Sequence, residues 1–350
     1  MKVYYVGCRT TRERNARGRG LRVFTAEPGA DWKELQLLGG LVNPSFLCFN
    51  PEKTALYTVH GDQDSVSAFQ ILPDHRLRLL NTVKIEGLNP VHLCTDPSGR
   101  YLLVACHRSG TIVRVPILQD GALSEQSAAD TLRSADGTLS HPHQLVFDRT
   151  GTFVIVPAQG KTTGHGLIAV YRFHPEDGSM QKVCEHLARS IAEPRHTALH
   201  PNNRFLYCLN EWDYTLTLLY FDEATGALTP KRVISTLPED WTKEGWASAI
   251  DLDPRGEYLY TTDRNYNTVF RFRVDQETGA LTRAGWVPTN GTQPRFMTVD
   301  PDTGHILAAN ECSDTIVEYA PSAFNDAEDA RQPLRTIESE SVVCIIGDRC

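Results

Sequence analysis

Six segments of this chain fall into one frame, and that repetition restricts the fold more than any other feature of the sequence. NPSFLCFNP begins at Asn43, NPVHLCTDP at Asn89, HPHQLVFDR at His141, EPRHTALHP at Glu193, WASAIDLDP at Trp246 and QPRFMTVDP at Gln293. With the second residue of each set to zero, the frame falls on Pro44, Pro90, Pro142, Pro194, Ala247 and Pro294, spaced 46, 52, 52, 53 and 47 residues apart. A period of about 40–50 residues built from short strands is the mark of a β-propeller, one blade per repeat.

Inside each repeat the pattern is regular. Positions +2 to +5 are short and apolar, as an innermost strand buried on both faces requires. A tight turn follows at +6 to +9, as in Asp96-Pro97-Ser98-Gly99 and Asp253-Pro254-Arg255-Gly256. There Pro presets φ and Gly accepts a left-handed backbone. A second apolar strand runs to about +16 (ALYTVH, YLLVAC, FLYCLN), and a third alternates (SVSAFQI, TVFRFRV). Turns such as DQETGALT lead to a fourth. Only six repeats are complete. Residues 1–38 begin mid-repeat, with KVYYVGC as a second strand, and ESVVCIIGD near the C-terminus can supply the missing innermost one. The expectation is an all-β, seven-bladed propeller forming a single domain over residues 1–350. Its last blade is split between about 1–38 and 339–350, so that the paired ends leave no open sheet edge.

The frame also predicts where chemistry sits. The first hairpin turns near +8, so +1 and +17 meet at one end of it, beside the axis. Position +1 reads Ser45, Val91, His143, Arg195, Ser248 and Arg295; position +17 reads Gly61, His107, Gln159, Glu211, Arg264 and Glu311. Arg9 takes +17 in the split blade, and His60 stands at +16. Packing would demand similar residues at equivalent positions. These vary and are rich in titratable groups, as a polar site on a rigid scaffold is. Strand ends at a propeller mouth are also polar simply because water reaches them, and His92 and His196 at +2 are expected to pack beside neighbouring blades. The convergence of His143, Arg195, Glu211 and Arg264 from three adjacent blades is the exception. A histidine and a carboxylate supply acid–base catalysis near neutral pH. Arginines bind an anion bidentately and stabilise an oxyanion. Arg9, His60, His107, Arg295 and Glu311 are then expected to bind substrate. There is no serine elbow and no phosphate-binding glycine loop. Glu211, Asp263 and Asn310 could be arranged as oxygen ligands for Ca²⁺, but the surrounding arginines argue against a metal, and no cofactor is expected.

Charge and cysteine content exclude other classes. Lys+Arg 35 against Asp+Glu 43 makes the chain mildly acidic, which argues against nucleic acid or an anionic membrane as partner. No apolar run approaches the ~20 residues of a membrane span, and MKVYYVGCRTT enters a strand pattern at once, without the pattern of a signal peptide. Nine cysteines without a C-x-x-C pair read as free thiols in a cytoplasmic protein. The loop from Arg9 to Gly20 carries Arg9, Arg12, Arg14, Arg17 and Arg19 against one acid, Glu13. It is expected to be mobile through its glycines and to attract an anionic substrate.

SHPHQLVFD, EPRHTALHPNNRFLYCLNE, SAIDLDPRGEYLYTTDR and QPRFMTVDP resemble the lactonase family of seven-bladed propellers. That family takes in bacterial propeller-type 6-phosphogluconolactonases and the fungal 3-carboxy-cis,cis-muconate cyclase. The resemblance spans nearly the whole chain and implies an active site of His143, Arg195, Glu211 and Arg264. It departs at Val6-Gly7-Cys8-Arg9, Val59-His60-Gly61 and Ala105-Cys106-His107, where many members read V-G-T, V-N-E and A-N-Y. What it implies is a metal-independent lactonase acting on a small anionic lactone: a phosphorylated sugar lactone, an aldarolactone or a carboxylated lactone. A muconate-type cycloisomerase would need the same groups. A non-catalytic interaction propeller is the remaining alternative, disfavoured because its charges point at the channel.

Overall fold

The structure, a computed structural model, describes residues 1–27, 29–161, 164–325 and 331–349. Seven antiparallel sheets form a closed ring. Numbered by the repeats, blade 1 has its innermost strand at Pro44–Phe49, blade 2 at Pro90–Thr95, blade 4 at Pro194–Leu199, blade 5 at Ala247–Leu252 and blade 6 at Pro294–Val299. In blade 7 the innermost strand, Val342–Arg349, comes from the C-terminus. It pairs with Lys2–Cys8 in a register from Lys2↔Arg349 to Cys8↔Val342, so the chain ends close the ring as expected. Residue 350 lies outside the described residues.

Blade 3 departs from the expected continuous inner strand. Its first strand is broken into His141–Pro142 and Val146–Phe147, both paired with Phe153–Gln159. The intervening residues bond elsewhere. Gln144 Oε1 accepts the Thr197 N–H of blade 4 at 2.6 Å, and the Leu145 N–H donates to His92 Nδ1 at 3.3 Å. His143 sits in this break, held by its N–H to the Pro157 carbonyl at 3.0 Å.

Local sequence explains the hairpins. The first turn residue accepts the N–H that opens the second strand: Asp96 from Tyr101 at 2.7 Å, Asp148 from Phe153 at 2.7 Å, Asp253 from Tyr258 at 2.7 Å. An Asx side chain does this because its oxygen mimics a backbone carbonyl. The core lies between blades rather than within one. Tyr57, Val59 and Val66 of blade 1, for example, are buried in one cluster with Leu93, Leu102 and Val104 of blade 2. The repeated TGAL turn is part of this seam. Gly279 has φ +69°, and a side chain there would stand 2.7 Å from the Phe205 ring of the preceding blade. Its carbonyl accepts the Tyr207 hydroxyl at 2.8 Å.

Candidate active site

One backbone device repeated around the ring builds the site. In blades 1, 2, 4, 5, 6 and 7 the amide of the +17 residue donates to the carbonyl just before the innermost strand. Glu211 donates to Glu193 (2.9 Å), Arg264 to Trp246 (2.9 Å), Glu311 to Gln293 (3.0 Å), His107 to Asn89 (3.0 Å) and Arg9 to Ser341 (3.0 Å). Five of the residues at that preceding position (Asn43, Asn89, Glu193, Gln293 and Ser341) adopt left-handed φ between 40° and 61°. Immediately afterwards, pairing slips between Pro194 and His196 and between Pro294 and Phe296. Such bulges re-aim a side chain next to a functional site, and here the residues on them are Arg195 and Arg295.

Seven of the nine expected site residues line a single axial cavity of about 670 Å³: Arg9, His107, His143, Glu211, Arg264, Arg295 and Glu311. Arg195 lies just beneath, on a deeper void that Arg9, His143 and Arg295 also border. His60 is a correction. It does not line either space; its Nδ1 meets the Val42 carbonyl at 2.8 Å and its Nε2 the Ser67 hydroxyl at 2.7 Å, inside blade 1. The reason is strand alternation: +16 and +17 are neighbours and point opposite ways.

Glu211 is the hub. Oε1 accepts from Arg264 Nη1 at 2.9 Å and from Trp246 Nε1 at 2.8 Å; Oε2 accepts from Gln159 Nε2 at 2.6 Å and lies 3.3 Å from Arg195 Nε. Burial by itself would raise this carboxyl, but Arg264, Arg195 and the donated hydrogen bonds outweigh it and hold the group well below the usual carboxylate range. Gln159 extends the network, its Oε1 meeting His107 Nε2 at 2.9 Å. Trp246 also stacks on the Arg264 guanidinium, 4.3 Å from ring centroid to Cζ. Neither Gln159 nor Trp246 was expected in the catalytic group. The one signal for Trp246 is that blade 5 breaks the frame there, reading Trp-Ala where the other complete blades carry a polar residue followed by Pro.

The arginines are buried and incompletely satisfied. Arg9, Arg195 and Arg264 are each 3–4% exposed. Five of their guanidinium nitrogens (Arg9 Nε and Nη1, Arg195 Nε, Arg264 Nε and Nη2) are buried without a hydrogen-bond partner. His143 Nδ1 is likewise unpartnered. Glu211 and Asp263 spend their oxygens on N–H donors, Asp263 on the amides of Trp246, Asn265 and Tyr266. They do not form the oxygen-ligand cluster that the sequence left open.

Four histidines surround the axis. The ring centroids of His143 lie 5.5 Å from His107 and 5.1 Å from His196, and His196 lies 6.2 Å from His92. His92 and His196 do more than pack between blades. With Phe46, 4.1 Å from His92, and Phe296, they form a floor across the channel. Burial drives all four imidazoles down, His92 to about 3 and His107 to about 4, and Arg195 adds to the effect on His92, His143 and His196. An unfolded histidine takes up a proton near pH 6.5 while these rings stay neutral, so protons favour the unfolded chain as pH falls below that value. Folding stability is therefore expected to fall steadily from pH 6.5 toward pH 4, by about 1.4 kcal/mol per unit of pKa separation, and the thermal midpoint with it. Calorimetry of wild type and His92→Phe checks this. The variant should show a shallower slope, and identical slopes would refute the assignment.

The arginine-rich loop lies at the mouth, and its arginines reach acids on neighbouring blades. Arg14 bonds Asp62 of blade 1 and Arg17 bonds Asp314 and the Cys312 carbonyl of blade 6; Arg19 pairs with Glu340 at 3.1 Å. Gly18 and Gly20 serve close packing. A side chain at Gly18 would stand 2.3 Å from the Arg9 carbonyl oxygen, and one at Gly20 1.9 Å from that of Leu38.

Comparison with known proteins agrees with this architecture. The chain is 28% identical over 319 residues to a 6-phosphogluconolactonase of Bacillus subtilis, covering 89% of each chain. It is 30% identical over 281 residues to one from Pectobacterium carotovorum, covering 80% of each. Among solved structures it is similar to the periplasmic gluconolactonase of Pseudomonas aeruginosa, with TM-score 0.86, 22% identity and coverage of 99% and 98% of the two chains. A protein from Lactobacillus plantarum superposes with TM-score 0.86 at 24% identity over the full length of both chains. The family model described as lactonase, 7-bladed β-propeller, matches residues 3–339, and the chain belongs to that family.

Proposed function

We propose that this protein is a metal-independent lactonase that opens an anionic, sugar-acid type lactone, for which 6-phosphogluconolactone is the leading candidate. One observation carries the reading: five buried guanidinium nitrogens without a hydrogen bond, two of them in ion-pair contact only, around the axial cavity and the void beneath it. A buried donor left unmade costs about 1–3 kcal/mol. A fold that keeps several together at one site is built to receive an anion or a developing negative charge. The curated relatives named 6-phosphogluconolactonase supply the substrate candidate.

In this mechanism His143, neutral and buried, takes a proton from a water molecule as it attacks the lactone carbonyl carbon. The carbonyl oxygen becomes an oxyanion facing Arg195 and Arg264. The tetrahedral intermediate collapses by breaking the bond to the ring oxygen, which receives the proton back from His143. The products are a hydroxyl and a carboxylic acid on one open chain, and the acid then releases its proton to solvent to leave a carboxylate. Glu211 is already ionised and fully hydrogen-bonded, so its part is to fix the two arginines rather than to move protons. His107, Arg295 and Glu311 contact the substrate around this centre. The free thiols among the described cysteines suit a cytoplasmic location. Among the described residues no helix is long and apolar enough to cross a membrane.

A panel of δ- and γ-lactones followed by proton release, with and without EDTA, tests the reading. Hydrolysis of 6-phosphogluconolactone is expected to survive EDTA. Failure to open any lactone would end the proposal, and loss with EDTA restored by Ca²⁺ or Zn²⁺ would end its metal-free part. Product analysis separates hydrolysis from cycloisomerisation, which would leave no net water in the product.

A further inference from the structure

Position +17 carries a side chain in every blade except blade 1, where it is Gly61. Its backbone is not left-handed, so the turn does not demand glycine. Space does. A Cβ on Gly61 would stand 2.4 Å from Arg9 Nη1 and 2.8 Å from Ser45 Oγ. The Arg9 guanidinium, reaching from blade 7, occupies the place on the ring that blade 1 leaves empty. In a ring of seven, blade 1 faces blades 4 and 5 across the axis, and those blades carry Arg195, Glu211 and Arg264.

Arg9 is not there to satisfy a protein partner. It is 4% exposed, and both Nε and Nη1 lack hydrogen bonds. Among the described residues the one carboxylate within ion-pair distance is Asp62, at 3.7 Å. Asp62 is already engaged by Arg14 Nε at 2.8 Å and by Asn43 Nδ2 at 3.1 Å. The side chain borders both the main cavity and the deeper void, together with Arg295. Arg295 is held only loosely by Glu311, at 3.5 Å.

From this geometry we infer that Arg9, seated in the space made by Gly61, is a second anion seat across the cavity from the Arg195–Arg264 pair. The site therefore takes a lactone bearing a phosphate or carboxylate group in addition to its ring carbonyl. The substrate half of this inference rests on the lactonase reading; the anion seat itself does not. With the carbonyl at Arg195 and Arg264, a substituent on the far side of the sugar ring places its charge at Arg9. Lactones without that charge leave the buried guanidinium unpaired and are discriminated against.

The test uses Arg9→Met and Gly61→Ala. The second forces aside the end of the Arg9 side chain and the Ser45 hydroxyl, and no backbone atom. Titration with inorganic phosphate, followed by calorimetry, is expected to give a Kd about 10–100-fold weaker in Arg9→Met and a smaller weakening in Gly61→Ala, with thermal midpoints close to wild type. In parallel, the ratio of kcat/KM for 6-phosphogluconolactone to that for uncharged glucono-δ-lactone should fall about 10-fold or more in Arg9→Met. A carboxylated lactone forms a third arm, and whichever charged lactone loses more identifies the group seated there. Wild type that does not bind phosphate, or equal phosphate affinity in wild type and Arg9→Met, overturns the seat. A fall in phosphate affinity without a fall in the ratio overturns the substrate assignment. If wild type opens no lactone, the lactonase reading has failed, and the phosphate titration still decides the seat.

Discussion

Alanine at position 143 is expected to lower kcat by about 10²–10⁴-fold, the range for loss of a general base, while the propeller stays folded. His143 is surrounded by groups that oppose its protonation: burial first, then Arg195, His196, His107 and Arg295. It is therefore neutral at physiological pH and available to accept a proton. Its Nδ1 is buried and unpaired, so removing the ring relieves an unsatisfied group, and the thermal midpoint should hold or rise. In wild type the acidic limb of kcat/KM should lie well below pH 6.5, since the base stays unprotonated there. His143→Gln, which keeps a polar side chain of similar reach but cannot take the proton, should be as inactive as the alanine variant. Full kcat in either protein on the true substrate would remove His143 from the chemistry.

Lysine at position 195 or 264 is expected to cost about 10²–10³-fold in kcat/KM, comparable to deleting an oxyanion donor. The two arginines use the geometry of the guanidinium. Arg264 bonds Glu211 through Nη1, lies over the Trp246 ring, and leaves Nε and Nη2 without hydrogen bonds. Arg195 spends Nη1 on the Ser248 carbonyl and keeps Nε beside Glu211. An ammonium has no plane to stack and no fork to divide between an anchor and a substrate. Steady-state kinetics on both variants decide the matter, and near-wild-type kcat/KM in both would show that these residues only balance charge.

The blades were legible in the sequence because each repeats the same turn chemistry and the same apolar strand. The site was legible as far as it follows that frame. The +17 amide clamp is a backbone feature, so counting residues finds Glu211, Arg264 and Glu311 directly. Counting fails one residue away. His60 is next to the ring in sequence, but the pleat turns it into its own blade. Non-periodic contacts are invisible in the same way. The indole of Trp246 reaches Glu211 in another blade, and the loop arginines find Asp62, Asp314 and Glu340 far along the chain. Loop charge alone therefore does not show what the loop faces, since the balancing acids arrive only through the fold.

The pairing of Lys2–Cys8 with Val342–Arg349 also has a consequence for the order of assembly. Domains generally begin to fold from the N-terminus during synthesis, but here the first strand waits for the last. Until the C-terminal strand emerges from the ribosome, blade 7 lacks its innermost member, and the inner edge of Lys2–Cys8 stands open to wrong partners. Arg9 waits as well, because the carbonyl that fixes its amide belongs to Ser341. A nascent chain can thus build blades 1 to 6 and most of the buried charged cluster, yet its cavity wall is finished only in the closing step. Chains cut short by even one strand should be recognised by the cell as sticky, unfinished rings rather than as weak enzymes.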